Sequence, residues 1–164
     1  MRGNTAGFGS IELLVRALKD EFPELDAARL RAAVTDIAKI PEVDCDVFAP
    51  CALGAGINDD TVPHLRAAIV AGAANNQLAE PRHGDDINAR GILYAPDYAI
   101  NAGGLVNVAQ EVKGYDPKLA REKTLQIYDT ILEIADRSAK TGTPTYRIAD
   151  MLVEEKLAAA GSRK

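Results

Sequence analysis

The chain has 164 residues, 47% of them hydrophobic, which is enough for one ordinary domain around a single core and short for two. With 24 acidic and 19 basic residues it carries a net charge of −5 and no long run of either sign, which argues against nucleic acid as a partner. No apolar stretch approaches the roughly 20 residues that span a bilayer, and the N-terminus has no basic leader ahead of an apolar core, so the expectation is a soluble, cytoplasmic protein without a membrane partner.

Residues 1–40 read as a helical segment. Ile11, Leu14, Val15 and Leu18 fall on one helical face, Ser10 stands where it can cap the first turn, and Pro23 ends the helix. A second helical pattern begins at Asp26 and gives way near Val34-Thr35.

After Pro41 the texture changes, because short apolar runs bounded by Gly, Pro and Asn alternate with helical patterns. That is the rhythm of an α/β fold. Asp46 to Ala49 reads as a buried strand ending at Pro50, and Asp59 or Asp60 as the cap of a helix through Pro63, Leu65 and Ala67. Ala68 to Ala71 is the second strand, Arg82 to Arg90 a short helix stopped by Gly91, and Ile92 to Ala95 the third strand. Cys45 and Cys51 lie on the first strand and its exit with no partner pair at metal-ligand spacing, so they read as buried thiols and no metal is expected.

The last third is helical. One helix starts near Asn101 and runs through Leu105, Val108, Ala109 and Val112 to Gly114. Asp116-Pro117 supplies an N-cap and a first-turn proline for a long amphipathic helix through Leu119, Ile127, Ile131, Leu132 and Ala135, which Gly142 stops. Thr143-Pro144 repeats that start for a final helix carrying Ile148, Leu152 and Leu157.

In an open parallel sheet, the loops leaving the carboxyl ends of the strands line the ligand crevice. Three such exits are visible: Pro50 to Gly54, Gly72 to Asn76, and Asp97 to Gly104. Each joins Ala or Gly to a polar group; Asn and Gly are also ordinary turn formers, so the pattern by itself leaves both readings open.

At these residues a resemblance emerges. Cys45 to Gly54, Ala74-Asn75-Asn76-Gln77-Leu78, and Tyr94 to Tyr98 followed by Asn101-Ala102-Gly103-Gly104 resemble the cofactor-domain motifs of the leucine dehydrogenase group, within the Glu/Leu/Phe/Val dehydrogenases. The resemblance runs from about Val43 to Ala159. It implies an incomplete Rossmann-like parallel sheet with a helical C-terminal segment, occupying residues 41–160 as an NAD-binding domain. It also implies reversible oxidative deamination of a branched-chain or other aliphatic L-amino acid to its 2-oxo acid and ammonium, with hydride passed to NAD.

Carried over residue by residue, the resemblance sets Cys51, Ala52, Leu53 and Gly54 against the cofactor backbone. It gives Asn75, Asn76 and Asn101 to the nicotinamide ribose, its carboxamide or the substrate. Amide side chains suit that work, since they donate and accept without adding charge beside a ring whose charge changes during reaction. Leu105 and Val108, three apart on one helical face, match positions that contact the substrate side chain; plain core packing is the alternative for both.

The first forty residues match poorly. The family's G-x-G-x-x-G turn sets a pyrophosphate over a helix N-terminus, whereas here there is Gly3-Asn4 and then Gly7-Phe8-Gly9 with no third glycine. Val34-Thr35-Asp36-Ile37 resembles the end of the family's second strand, which makes Asp36 the candidate adenosine-ribose ligand, although it sits further from the glycines than the usual ~20 residues. The family also takes a carboxylate-binding lysine and a general-base lysine from a separate N-terminal domain, and nothing here matches that segment. No catalytic residue is therefore assigned, and the lysines read as solvated surface charges.

Two readings follow. In the first the chain is the cofactor-side half of a leucine dehydrogenase-like enzyme, truncated or split, inactive alone, taking a small-molecule amino acid and partnered by further copies of itself or by a separate N-terminal catalytic half. In the second it is a non-catalytic nucleotide-binding or oligomerisation module, or an inactive remnant.

Overall fold

Three apolar pairs form a parallel sheet in the order β1-β2-β3: Val47–Phe48 (β1), Ile69–Val70 (β2) and Leu93–Tyr94 (β3). Val47 lies opposite Ile69 and Ile69 opposite Leu93, while Phe48, Val70 and Tyr94 share the next row. The computed structural model describes residues 37–112 and 114–161. The chain divides into two units, Met1–Ile37 and Ala38–Lys164, and the sheet and its helices belong to the second. The expected helix from Ser10, the glycines Gly3, Gly7 and Gly9, and Asp36 lie outside the described residues.

The α/β expectation holds, with each predicted strand trimmed to its central pair. The helices are α1 (Pro81–Ala89), α2 (Asp97–Ile100), α3 (Gly103–Glu111), α4 (Pro117–Thr141) and α5 (Thr145–Gly161). No helix among the described residues is long and apolar enough to cross a membrane.

One core cluster sits on the sheet. Val70 and Tyr94 meet Ile57, Val62, Leu65, Ile87 and Ile92, with Phe48, Leu78 and Tyr146 packed against them. Ile87 is fully buried on α1, and a side chain of that size contributes ~1.5–3 kcal/mol on burial. A second cluster joins Ile134 of α4 to Ile148, Ala149 and Leu152 of α5.

The connection between β1 and β2 corrects the sequence reading, because only a 3-10 turn, Val62–His64, stands where a helix was expected. Neither Asp59 nor Asp60 caps it: the residue before the turn is Thr61, and Asn58 folds the approach to it, its Oδ1 accepting from the backbone N–H of Asp60 and of Thr61, each at 3.0 Å. The turn cannot lengthen because the Arg90 guanidinium donates to the carbonyls of Val62 and Leu65, groups a continuing helix would itself use. Asp59 instead turns to α1, where Arg82 meets it through two hydrogen bonds of 2.7 Å and the buried His83 Nε2 lies 3.3 Å away.

The long helix begins as its sequence indicates. Asp116 Oδ1 accepts from the backbone N–H of Lys118 at 2.8 Å and of Leu119 at 3.3 Å, and the helix ends at Gly142, whose φ is 71°. Its buried face matches the one expected only in part: Ile127, Ile131 and Ala135 are half-buried, with Ile131 packed against the core, and Ala120, Ile134 and Ser138 are buried, while Leu119 is 40% and Leu132 50% exposed. The final helix starts one residue later than Thr143-Pro144 suggested; the Pro144 carbonyl accepts from Arg147 and Ile148. On that helix Ile148 and Leu152 are buried, whereas Leu157 is exposed.

Candidate functional site

Parallel strands in register release their exits along one edge of the sheet, and there the first two exits meet through backbone contacts and the second and third through side chains. An ideal Cβ on Gly72 would stand 2.2 Å from the Pro50 carbonyl oxygen. That same oxygen accepts from Ala74 N–H at 2.9 Å. Gly54 allows the next approach, since a Cβ there would meet the Asn75 carbonyl oxygen at 2.8 Å. Ala55 N–H then donates to the Asn76 carbonyl at 2.7 Å. The exits of β1 and β2 are thereby fixed backbone to backbone.

The turn after β2 is held from inside. Gln77 is completely buried, and its Nε2 donates to the carbonyls of Gly72 at 2.7 Å and Ala74 at 2.9 Å. The intervening Ala73 carbonyl accepts from Asn101 Nδ2 at 3.3 Å. Asn101 Nδ2 also donates to Asn75 Oδ1 at 2.6 Å, so the exits of β2 and β3 are joined through two side-chain amides.

Asn76 is left-handed, with φ 52°, a conformation asparagine tolerates better than most residues. Its N–H donates to Asp97 Oδ2 at 2.6 Å. Asp97 is buried at 8% exposure, and its Oδ1 accepts from the Tyr94 hydroxyl at 2.8 Å. Burial first, and the hydrogen bond to Asp97 second, push Tyr94 ionisation far above the ordinary phenol range, so Tyr94 remains a donor. Tyr98 is raised in the same way by burial and then by Asp150. Its hydroxyl donates to Asp150 Oδ1 at 2.9 Å, tying α2 to α5.

Asn75, Asn76, Asp97, Tyr98, Asn101, Ala102 and Leu105 line a cleft of about 480 Å³ at this edge. Among the described residues, the Asn76 side-chain amide and the Asn75 amide nitrogen take no intramolecular partner, so both remain available to a ligand. Amide donors and acceptors beside an apolar edge suit a flat, partly polar ring and the sugar attached to it.

Of the residues expected at a site, the fold thus brings Asn75, Asn76, Asn101 and Leu105 to one cleft. Cys51, Ala52, Leu53 and Gly54 are exposed on the β1 exit and lie outside the cleft lining. Cys51 is not a buried thiol: its Sγ accepts from Ala73 N–H at 3.4 Å from an exposed position, and Cys45 is half-buried. Val108 stands one turn along α3 from Leu105, 57% exposed and outside the cleft lining. The described lysines are exposed.

Three residues gain roles that sequence reasoning did not give them. Gln77 and Asp97 hold the loops, and Tyr98 lines the cleft. The signal for Asp97 was present, as an acid directly after the proline that ends β3; Gln77 gave none, because a glutamine in a polar stretch reads as surface.

The family model for Glutamate/Leucine/Phenylalanine/Valine dehydrogenase matches residues 4–158, so the match extends N-terminal to Val43. Leucine dehydrogenase of Bacillus cereus is 46% identical over 147 residues, covering 90% of this chain and 40% of that protein. Valine dehydrogenase of Streptomyces albus is 46% identical over 151 residues, 92% of this chain and 40% of that protein. The chain spans about 40% of the length of these curated relatives. Among solved structures, the L-tryptophan dehydrogenase from Nostoc punctiforme has a TM-score of 0.78 at 40% identity, covering 90% of this chain and 42% of the other.

Proposed function

Since the chain belongs to the Glutamate/Leucine/Phenylalanine/Valine dehydrogenase family, we propose that it forms the cofactor-facing side of an NAD-dependent dehydrogenase acting on a branched-chain or other aliphatic L-amino acid. The observation that carries this reading is the amide pair Asn75 and Asn101, joined at 2.6 Å beside an open cleft at the carboxyl ends of parallel strands.

The cleft fits the nicotinamide portion of such a cofactor, which when bound supplies the hydride acceptor. Asn101 would meet it in a fixed orientation, because both of its amide hydrogens are held, by Asn75 and by the Ala73 carbonyl. The amides of Asn75 and Asn76 would bind the carboxamide or ribose. Cys51, Ala52, Leu53 and Gly54 would lie along the cofactor backbone. Leu105, 75% exposed at the cleft edge, would exclude water from the substrate side chain, with Val108 continuing that apolar surface.

The cleft lining contains amides, one carboxylate, one phenol and apolar groups, and no lysine among the described residues. That supports a division of labour in which proton transfer comes from a separate lysine-bearing half. Assembly with that half or with further copies of the chain belongs to the same reading, and is supported by the exposed Leu125, Tyr128 and Leu132 on α4.

Titration calorimetry with NADH tests the binding claim directly, and absence of heat at millimolar nucleotide would remove it. The activity claim is tested by supplying the N-terminal half of a leucine dehydrogenase. Leucine-dependent NADH formation is expected, and a well-folded complex that forms none counts against the assignment.

A further inference from the structure

Asp97 is the one acidic side chain among the described residues lining the cleft, and no described lysine, arginine or histidine lines it with Asp97. Its two oxygens are both used as acceptors, Oδ2 by Asn76 N–H at 2.6 Å and Oδ1 by the Tyr94 hydroxyl at 2.8 Å. Accepting at both oxygens is the pattern of an ionised carboxylate.

The bond that holds Asn76 N–H does not itself require that charge. An asparagine of the same shape could still accept from Asn76 N–H through its oxygen, while its amide would face the Tyr94 oxygen, which already accepts from the residue 97 N–H at 3.3 Å. A charge kept at 8% exposure bears a desolvation cost that the neutral isostere avoids. The charge also stands on the cleft lining, where it can act on a bound ring.

Resting on the reading of the cleft as a nicotinamide site, we propose that Asp97 sets the balance between the oxidised and reduced forms of the dinucleotide. The oxidised ring is positively charged and the reduced ring is neutral, so a fixed negative charge on an otherwise neutral lining favours the oxidised form and leaves the reduced form unaffected. Asp97 is at once a positioning residue for Asn76 and the source of this discrimination.

The test is separate titration of the full chain with NAD+ and with NADH, for wild type and Asp97→Asn, with thermal melts to establish folding. In Asp97→Asn the ratio of Kd for NAD+ to Kd for NADH is expected to rise roughly ten-fold, the order of magnitude for one unit charge facing a partly solvated site. Loosening of Asn76 alone would weaken both nucleotides alike and leave the ratio where it was, and that result overturns the proposal. If Asp97→Asn fails to fold, Tyr94→Phe keeps the carboxylate and removes one of its donors. There the ratio is expected to stay within about two-fold or to move toward the oxidised form, and a shift toward the reduced form overturns the proposal. Wild type that binds neither nucleotide overturns the cleft reading and this inference together, whereas binding of both with an unchanged ratio in Asp97→Asn overturns the inference alone.

Discussion

Asn101 Nδ2 donates to Asn75 Oδ1 across 2.6 Å, joining the exit of the third strand to that of the second. The two stand 26 positions apart in sequence, yet each orients the other at the cleft. The bond directs the Asn75 carbonyl inward to its partner and leaves its amide nitrogen available to a ligand.

Replacing Asn101 by Ala removes this bond and the one to Ala73. The expected result is a roughly 3- to 10-fold rise in the dissociation constant for NADH, the equivalent of one neutral hydrogen bond. Calorimetric titration measures it, and an unchanged constant would show that Asn101 plays no part in nucleotide binding.

Gly72→Ala addresses the scaffold beneath the site. A Cβ 2.2 Å from the Pro50 carbonyl forces the backbone of one exit away from the other, with an expected cost of about 1–3 kcal/mol or more. Gly104, in α3 with nothing within 4 Å of an added Cβ, is the contrast: alanine there should be neutral or stabilising by up to ~1 kcal/mol. Urea denaturation of the two variants should give opposite signs or a clear gap; equal losses would refute the close-approach argument.

At the start of α4, Asp116→Ala deprives Lys118 N–H and Leu119 N–H of their shared acceptor. A loss of about 1 kcal/mol is expected, within the usual range of ~0.5–2 kcal/mol for an N-cap. Thermal unfolding reads it out, and restoration by Asp116→Ser would separate capping from charge.

Asp59 predicts an acid-sensitive contribution. Its carboxyl is held down from an ordinary 3.8 to about 2, by Arg82 first and His83 second. A depressed folded-state value means that the stabilisation is fully present above the ordinary value and is lost as pH falls through about 2. Because the pair is exposed, the effect should be small and further reduced by salt. Stability curves of wild type and Asp59→Asn should converge as the pH is lowered across that window; a difference that persists at the acid end would assign the effect to packing.

The sequence by itself determined the α/β class, the central pairs of all three strands and the Asp116 and Gly142 boundaries of the long helix. Each of these depends on local rules: apolar runs between turn residues, and a cap fixed by its own neighbours. Resemblance to a family's motifs, and not the pattern alone, pointed to Asn75, Asn76, Asn101 and Leu105. Only the tertiary structure decided that the segment after Asn58 would stop at one 3-10 turn, because Arg90, distant in sequence, takes the carbonyls a helix would need. It alone decided that Ile134 and Ser138 rather than Leu119 and Leu132 face inward on α4, since two helical faces of similar character are distinguished only by what packs against them. The same holds for Gln77 and Asp97. Their importance lies in the partners they reach across loops, and those partners exist only once the strands are side by side.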